Sequence, residues 1–192
     1  MIETEKFQQV EITSQSELRE WLIQNHQQKE SIWLVTYKKA IEEKYVSTSQ
    51  VLDELLCFGW IDGIRRKLDE NRTMQLIAPR KAQHWSGTYK ARVAKLTKAN
   101  KMHTSGLKSV ELAKQNGLWS FMDDVDQLIK PEDLDAALKK ESDAQLFFDH
   151  INDSSKRFVL RWLKLSKTIQ TRQNRIHKIV ELSKKGEKLP GS

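Results

Sequence analysis

The stretch from Cys57 to Ser86 constrains the fold more than any other part of the chain, because glycine and proline divide it into short segments. It opens with CFGWIDG, whose first glycine, Gly59, is predicted to end a helix. Two strand-like segments, residues 64–68 and 72–78, then flank a polar triplet, which is typical of a β-hairpin. Pro79 is predicted to stop the second strand, because proline cannot donate a hydrogen bond to a sheet.

Two helices and one more strand are predicted before this stretch. Ser14 and Glu17 have the spacing of a helix-capping box, and so do Ser47 and Gln50. Between them, Ser31–Lys38 is rich in β-branched and aromatic residues and predicts a strand. Together with the hairpin, this strand makes a small antiparallel sheet of three strands.

From Ser86 onward the spacing of apolar residues is helical. Helices are predicted to begin at Ser86 or Gly87, Ser105, Pro131, Ser142, Ser154 and Thr168. The fold class is therefore α+β, with a small antiparallel sheet and helices in an N-terminal lobe and an all-helical C-terminal lobe. We expect residues 1–120 to form the α+β lobe, which carries the glycine and tryptophan motifs, and residues 121–192 to form the basic helical lobe.

The cysteine content and the N-terminal sequence bear on cellular location. One cysteine in 192 residues excludes an internal disulfide and suits a reducing compartment. The first residues contain no basic segment followed by an apolar core, so no secretory signal is expected. No apolar run approaches the ~20 residues that span a bilayer. We therefore expect a cytoplasmic protein without membrane insertion.

The net charge of +7 is distributed in blocks. Residues 71–110 contain 9 basic and no acidic side chains, and residues 156–192 contain 11 basic and 2 acidic ones. The blocks 1–70 and 111–155 are net acidic. Either the blocks neutralise one another and are solvated, or the two basic blocks converge on a polyanion. Charge alone leaves both interpretations open.

Seven residues of the central stretch are candidate ligand-binding or signature positions: Trp60, Asp62, Gly63, Arg80, Lys81, Trp85 and Ser86. The two tryptophans are predicted to be buried near the sheet, with a pocket wall as the alternative. Asp62 is predicted to accept a hydrogen bond in a turn from a backbone N–H or from Arg80, with Arg65 as another partner. Arg80 and Lys81, with Trp85 and Ser86 at the start of the next helix, are suited to form an anion-binding corner. The alternative is a basic turn that the acidic block at 111–155 neutralises.

The last two predicted helices carry four candidate polyanion contacts: Arg157, Arg161, Arg172 and Arg175. Phe158 and Trp162 are expected to face the core, whereas base stacking would need them exposed. At most weak, non-specific binding of nucleic acid is therefore expected.

The histidines, the glycines and the single cysteine form no recognisable catalytic, metal-binding or nucleotide-binding motif. The five histidines lie in different segments without metal-ligand spacing, and the glycines form no nucleotide-binding fingerprint. Cys57 is interpreted as a small core residue. We therefore expect neither a metal nor a cofactor, and we assign no catalytic residue.

The combination of CFGWIDG at 57–63 with Pro79-Arg80-Lys81 and Trp85-Ser86 resembles the YdeI/OmpD-associated family, named for bacteriocin protection. Lys156-Arg157-Phe158 and Trp162-Leu163 fit the same family. The resemblance implies an α+β front lobe, a helical rear lobe and a link to envelope stress or peptide antibiotics, and it supplies no catalytic residues.

The leading hypothesis for function is a non-catalytic cytoplasmic protein that acts in stress or bacteriocin protection through an unknown protein partner. Two alternatives remain open. One is a nucleic-acid- or polyanion-binding module, and the other is an enzyme that acts on a small anionic substrate near Trp60, Asp62 and Arg80.

Overall fold

The computed structural model describes residues 6–190, and the chain divides between Ser120 and Phe121 into two compact units. The elements of the N-terminal unit are β1 (Gln9–Glu11), α1 (Gln15–Asn25), β2 (Ile32–Tyr37), α2 (Thr48–Phe58), β3 (Trp60–Lys67), β4 (Arg72–Pro79), α3 (Gly87–Lys98) and α4 (Thr104–Gln115). Those of the C-terminal unit are α5 (Asp123–Asp126), α6 (Glu132–Lys139), α7 (Ser142–His150), α8 (Asp153–Lys164) and α9 (Ile169–Lys184). The predicted α+β fold class is confirmed.

The sheet of the N-terminal unit is mixed and has the strand order β1-β2-β4-β3. Strands β2, β4 and β3 pair antiparallel, as predicted, and the hairpin turn lies between Lys67 and Arg72. Strand β1 was not predicted, and it pairs in parallel with β2. Its three residues are too few to show an alternating pattern.

Strand β3 begins at Trp60, four residues before the predicted start. Trp60 pairs with Pro79, and Asp62 pairs with Ile77. The interpretation of Asp62 as a turn residue was therefore wrong. Gly59 alone makes the turn from helix to strand, because its φ of +74° reverses the chain within one residue.

Most helix starts follow the predicted caps. Ser47 and Gln50 form a complete capping box at α2. At α1, Ser14 accepts from the Glu17 N–H, but the Glu17 carboxylate accepts from the N–H of Thr13 rather than of Ser14. The starts of α4, α6 and α8 differ from the prediction by one residue, since these helices begin at Thr104, Glu132 and Asp153. Ser142 is the first residue of α7 but does not cap it.

The core of the N-terminal unit lies between one face of the sheet and the helices α1 and α2. Its fully buried members include Leu18 and Leu22 of α1, Leu55 of α2, and Leu34 and Ile77 of the sheet. Trp60 and Trp85 belong to the same core, which confirms that both tryptophans are buried.

The C-terminal unit has its own core, which includes Leu134, Phe148, Leu163 and Ile179. The expectation that Phe158 faces this core was wrong, because its side chain is 51% exposed. Helix α8 buries Val159, Leu160 and Leu163, and Phe158 precedes that stripe by about 100° of helix rotation. Within residues 6–190, no helix combines the length and apolar character that crossing a membrane requires.

The C-terminal end of α2 binds two other parts of the unit through three consecutive backbone carbonyls. The carbonyl of Cys57 accepts from the His103 N–H at 3.0 Å, and that of Phe58 accepts from the Ser105 hydroxyl at 2.9 Å. The carbonyl of Gly59 accepts from the Arg80 N–H at 2.9 Å. The orphan carbonyls of the helix end thus join α2 to α4 and to the end of β4.

Gly106 makes this helix contact possible, and replacing it with alanine tests the contact. A Cβ at Gly106 would lie 2.2 Å from the Cys57 carbonyl oxygen. Alanine favours a helix over glycine by about 1 kcal/mol, yet we expect Gly106→Ala to lower the free energy of unfolding by about 3 kcal/mol because the backbones must separate. Denaturant unfolding measures the change.

Gly117→Ala is the matched control for Gly106→Ala, because the added methyl group would meet no atom within 4 Å. Only the positive φ of 75° opposes that change, at about 1–2 kcal/mol. Equal losses in the two variants would contradict the close approach of α4 to α2.

Trp60 is the second position whose contribution can be measured. Its indole N–H donates to the His26 carbonyl at 3.2 Å, and its ring meets Trp21 edge to face at 5.5 Å. Trp60→Ala should lower the free energy of unfolding by about 3–5 kcal/mol, the range for a fully buried aromatic side chain. Trp60→Phe keeps a ring at the position and should lose less, and a loss under ~1 kcal/mol for alanine would disprove the core role.

Candidate functional site

A β-bulge in strand β3 brings two charged side chains to the same face of the sheet. Asp62 pairs with Ile77 and Arg65 with Gln75, so Gly63 and Ile64 together oppose one residue of β4. Residues three apart in a regular strand face opposite sides, but the inserted residue returns Arg65 to the side of Asp62. A Cβ at Gly63 would lie 3.1 Å from the Leu76 carbonyl oxygen, which favours glycine in the bulge.

Asp62 and Arg65 line a cavity of about 320 Å³. We call it the bulge cavity. Its remaining walls come from the first turns of α2, from β4 and from α3, through Thr48, Ser49, Val51, Leu52, Gln75 and Arg92. The cavity therefore combines an apolar side, two guanidinium groups, one carboxylate and hydroxyl and amide groups.

Arg65 forms no ion pair with a carboxylate of residues 6–190. Its guanidinium donates to the Gln75 side-chain oxygen at 3.0 Å, and the residue stays exposed at the cavity. Partial desolvation lowers the pKa of Arg65, against the opposing effect of Tyr45 and Asp62. An arginine nevertheless stays protonated in a protein, so Arg65 brings to the bulge cavity a positive charge that no described carboxylate pairs with directly.

The positive charge of Arg92, the other arginine of the cavity, is neutralised by an ion pair with Asp53. Its guanidinium lies 2.6 Å from the Asp53 carboxylate and donates to the Ser49 hydroxyl at 3.0 Å. These contacts fix its orientation and hold α3 against the start of α2. Arg92 thus shapes the wall, whereas Arg65 is available to a ligand.

Asp62 is bound by Tyr89 rather than by the predicted partners. The Tyr89 hydroxyl donates to Asp62 Oδ1 at 2.6 Å. The prediction that Arg80 or a backbone N–H is the partner was wrong, because a residue in β3 directs its side chain across the sheet face toward α3. Oδ2 of Asp62 accepts no hydrogen bond from the described part of the chain.

Arg80 does not line the bulge cavity and packs against aromatic rings. Its guanidinium carbon lies 3.8 Å from the Trp85 ring centroid and 5.6 Å from that of Tyr89. One terminal nitrogen donates to the His84 carbonyl at 3.0 Å, whereas Nε and Nη1 are buried without a described partner. Burial lowers the pKa of Arg80.

The predicted anion-binding corner is only partly assembled. Arg80, Lys81 and Trp85 line a small cavity of about 30 Å³, with room for about one water molecule. The Ser86 hydroxyl instead caps α3 by accepting from the Tyr89 N–H at 3.4 Å. Trp60 is a core residue, and only Asp62 and Gly63 of the seven candidates contribute to the bulge cavity or its bulge.

Sequence reasoning missed Ser49, Gln75 and Arg92 and named Arg65 only as a possible partner of Asp62. These residues come from four elements, so no local spacing connects them. The one available signal is Gly63 inside a strand pattern, because glycine there often marks a bulge.

Cys57 and the histidines offer little for catalysis. Burial raises the pKa of the Cys57 thiol to about 11, so the thiolate nucleophile is disfavoured at neutral pH. His26 and His103 do approach each other, with ring centroids 4.7 Å apart. Across the described chain, no three His, Cys, Asp or Glu side chains are close enough to hold a metal ion.

The four candidate arginines of the C-terminal unit differ in how strongly other side chains and carbonyls of that unit bind them. Arg172 binds Asp133 through two hydrogen bonds of 2.5 and 2.8 Å. Arg175 donates to the Trp162 carbonyl and lies 4.7 Å from the centroid of its ring. Arg157 is 3.9 Å from Asp153, and Arg161 is exposed.

Comparison with known families gives one match within each of the two compact units. Residues 10–109 match a family model described as a domain of unknown function, DUF8412. Residues 127–186 match the family model described as "Bacteriocin-protection, YdeI or OmpD-Associated". No curated protein and no solved structure gave a significant match.

The first match covers more than half of the 192 residues, so the chain belongs to the DUF8412 family. The second match confirms the predicted resemblance to the YdeI/OmpD-associated family and places it in the C-terminal unit. The CFGWIDG, Pro-Arg-Lys and Trp-Ser motifs fall within the first match instead.

The Tyr89–Asp62 hydrogen bond can be measured with a double-mutant cycle. The variants Asp62→Ala and Tyr89→Phe should show a coupling of about 1–2 kcal/mol in the free energy of unfolding, because the bond has a charged acceptor and is partly buried. Tyr37→Phe is the control, since Tyr37 donates to Glu11 instead. Coupling of the same size between Asp62→Ala and Tyr37→Phe would show that the cycle reports something other than this bond.

Proposed function

We propose that this chain is a cytoplasmic, non-catalytic protein associated with bacteriocin protection, and that its N-terminal unit binds a small anionic ligand in the bulge cavity. The observation that carries the proposal is the guanidinium of Arg65, which faces the cavity and forms no ion pair with a carboxylate of residues 6–190. A partly desolvated charge without a directly bound ion-pair partner is unfavourable, and an anion bound to the guanidinium would stabilise it.

The walls of the cavity favour the same class of ligand. Thr48 and Ser49 are the first two residues of α2, and the N-terminus of a helix carries a partial positive charge and free N–H groups. The volume of about 320 Å³ lies at the small end of the range of about 300–1,000 Å³ for ligand sites. An arginine can bind a carboxylate or a phosphate through two parallel hydrogen bonds.

The non-catalytic and cytoplasmic parts of the proposal rest on particular residues and on the family. The Cys57 thiol is buried with a raised pKa, and one oxygen of Asp62 is held by Tyr89. A lone cysteine suits a reducing compartment. The link to bacteriocin protection comes from the family matched by residues 127–186, and a protein partner for that unit is part of the proposal.

Binding of nucleic acid is the weaker hypothesis, because Arg172 and Arg175 already have partners within the C-terminal unit.

We further propose that residues 1–120 and 121–192 are separate domains, with the anion site in the first. An enzyme acting on a small anion would use the same cavity, and ligand binding is the step that both hypotheses share.

The experiment compares Arg65→Gln with Arg66→Gln by titrating the full chain with inorganic phosphate and with butyrate. Arg66 is the matched control, because it adjoins Arg65 in β3 but stacks on Trp33 at 5.3 Å and does not line the cavity. We expect Arg65→Gln to weaken binding of these anions at least about tenfold, as loss of a charge-assisted hydrogen bond implies. Arg66→Gln should change it less than about twofold, since long-range screening reduces its effect.

Isothermal titration calorimetry, or amide chemical shifts for weak binding, gives the dissociation constants. Equal weakening in both variants would indicate a general charge effect and contradict the site. Failure of the unsubstituted protein to bind either anion would overturn the proposed function.

A further inference from the structure

We infer that the ligand of the bulge cavity is a small zwitterion, whose carboxylate binds Arg65 and whose protonated amine binds Asp62. This inference rests on the proposed function, which assigns an anionic group to Arg65, and it adds a protonated amine bound by Asp62. It starts from the bulge at Gly63 and Ile64, which turns both charged side chains toward the same cavity.

One carboxylate oxygen of Asp62 accepts no hydrogen bond from the described residues. Its Oδ1 accepts from Tyr89 at 2.6 Å, and this bond orients the carboxylate. Its Oδ2 accepts from no donor of residues 6–190, although the side chain lines the cavity. An ionised carboxylate can accept several hydrogen bonds, so the free oxygen is a binding position for a donor.

Asp62 and Arg65 face one cavity and yet form no ion pair with each other or with another described side chain. A ligand with only a negative charge would satisfy Arg65 but would place that charge near the Asp62 carboxylate. A ligand with only a positive charge would have the reverse effect at Arg65. A ligand with both charges satisfies both residues at once, because each opposite pair favours the charged forms.

The remaining walls fit the middle of such a molecule. Val51 and Leu52 line the cavity with apolar side chains, which suits the methylene groups between an amine and a carboxylate. The volume of about 320 Å³ accommodates a compound of amino-acid size. The chemical class is therefore a small amino carboxylate.

Three probes of one carbon-chain length separate the charges: γ-aminobutyrate, butyrate and n-butylamine. Each is titrated into the full chain at pH 7 and at constant ionic strength. We expect γ-aminobutyrate to bind about tenfold more tightly than butyrate, the ratio for one additional charge-assisted hydrogen bond. n-Butylamine should bind most weakly, because it lacks the group for Arg65.

Asp62→Asn tests the residue assigned to the amine. Asparagine keeps an oxygen for the Tyr89 hydroxyl and removes the negative charge, so the fold is expected to persist, and a thermal melt checks this. The tenfold preference for γ-aminobutyrate over butyrate should disappear, while the affinity for butyrate stays unchanged or rises. Tyr89→Phe leaves the charge of Asp62 in place and should retain a preference.

The outcomes separate this inference from the function on which it rests. Butyrate binding as tightly as γ-aminobutyrate, or a preference that survives Asp62→Asn, would overturn the zwitterion and leave the anion site standing. n-Butylamine binding as tightly as γ-aminobutyrate, or the absence of binding by butyrate, phosphate and γ-aminobutyrate alike, would overturn both.

Discussion

The N-terminal unit depends on the hydrogen bonds at the C-terminal end of α2. The carbonyls of Cys57, Phe58 and Gly59 would otherwise be orphan acceptors. The first two bind donors at the start of α4, and the third binds the backbone N–H of Arg80 after β4. Gly59 turns the chain directly into β3, and Gly106 lets α4 approach the same carbonyls. One helix end therefore sets the positions of β3, of the segment after β4 and of α4.

The candidate site follows from this arrangement, because its charged residues stand on β3 immediately after that helix end. The same helix provides the opposite wall at its other end, where Thr48 and Ser49 begin α2. The site thus lies between the first turns of α2 and the bulge of β3. Its two arginines differ in their partners, since Arg92 forms an ion pair with Asp53 and Arg65 forms none with a carboxylate of the described residues.

Local sequence signals predicted the helices better than they predicted the strands and the site. The caps at Ser14, Ser47, Ser86 and Thr168 act within three residues of themselves, so the sequence alone contains the interaction. Strand β1 has only three residues and depends on β2 for its hydrogen bonds. The start of β3 at Trp60 was hidden because CFGWIDG places a turn-forming aspartate, Asp62, only three residues after the helix-ending Gly59.

The partners of the charged residues were the least predictable part. Tyr89 reaches Asp62 from α3, and Asp53 reaches Arg92 from α2, so both contacts require the tertiary arrangement. The family resemblance could not predict these contacts either, because it rested on the order of motifs along the chain and not on which residues touch. Gly63 was recognised as a candidate position, but its role in a bulge depends on the register with β4.

The bulge also bears on how copies of this protein behave at high concentration. Strand β3 is an edge of the described sheet, and an open edge invites the edge of another molecule to add as a further strand. The irregular pairing at Gly63 and Ile64, followed by the positive charges of Arg65, Arg66 and Lys67, obstructs such addition.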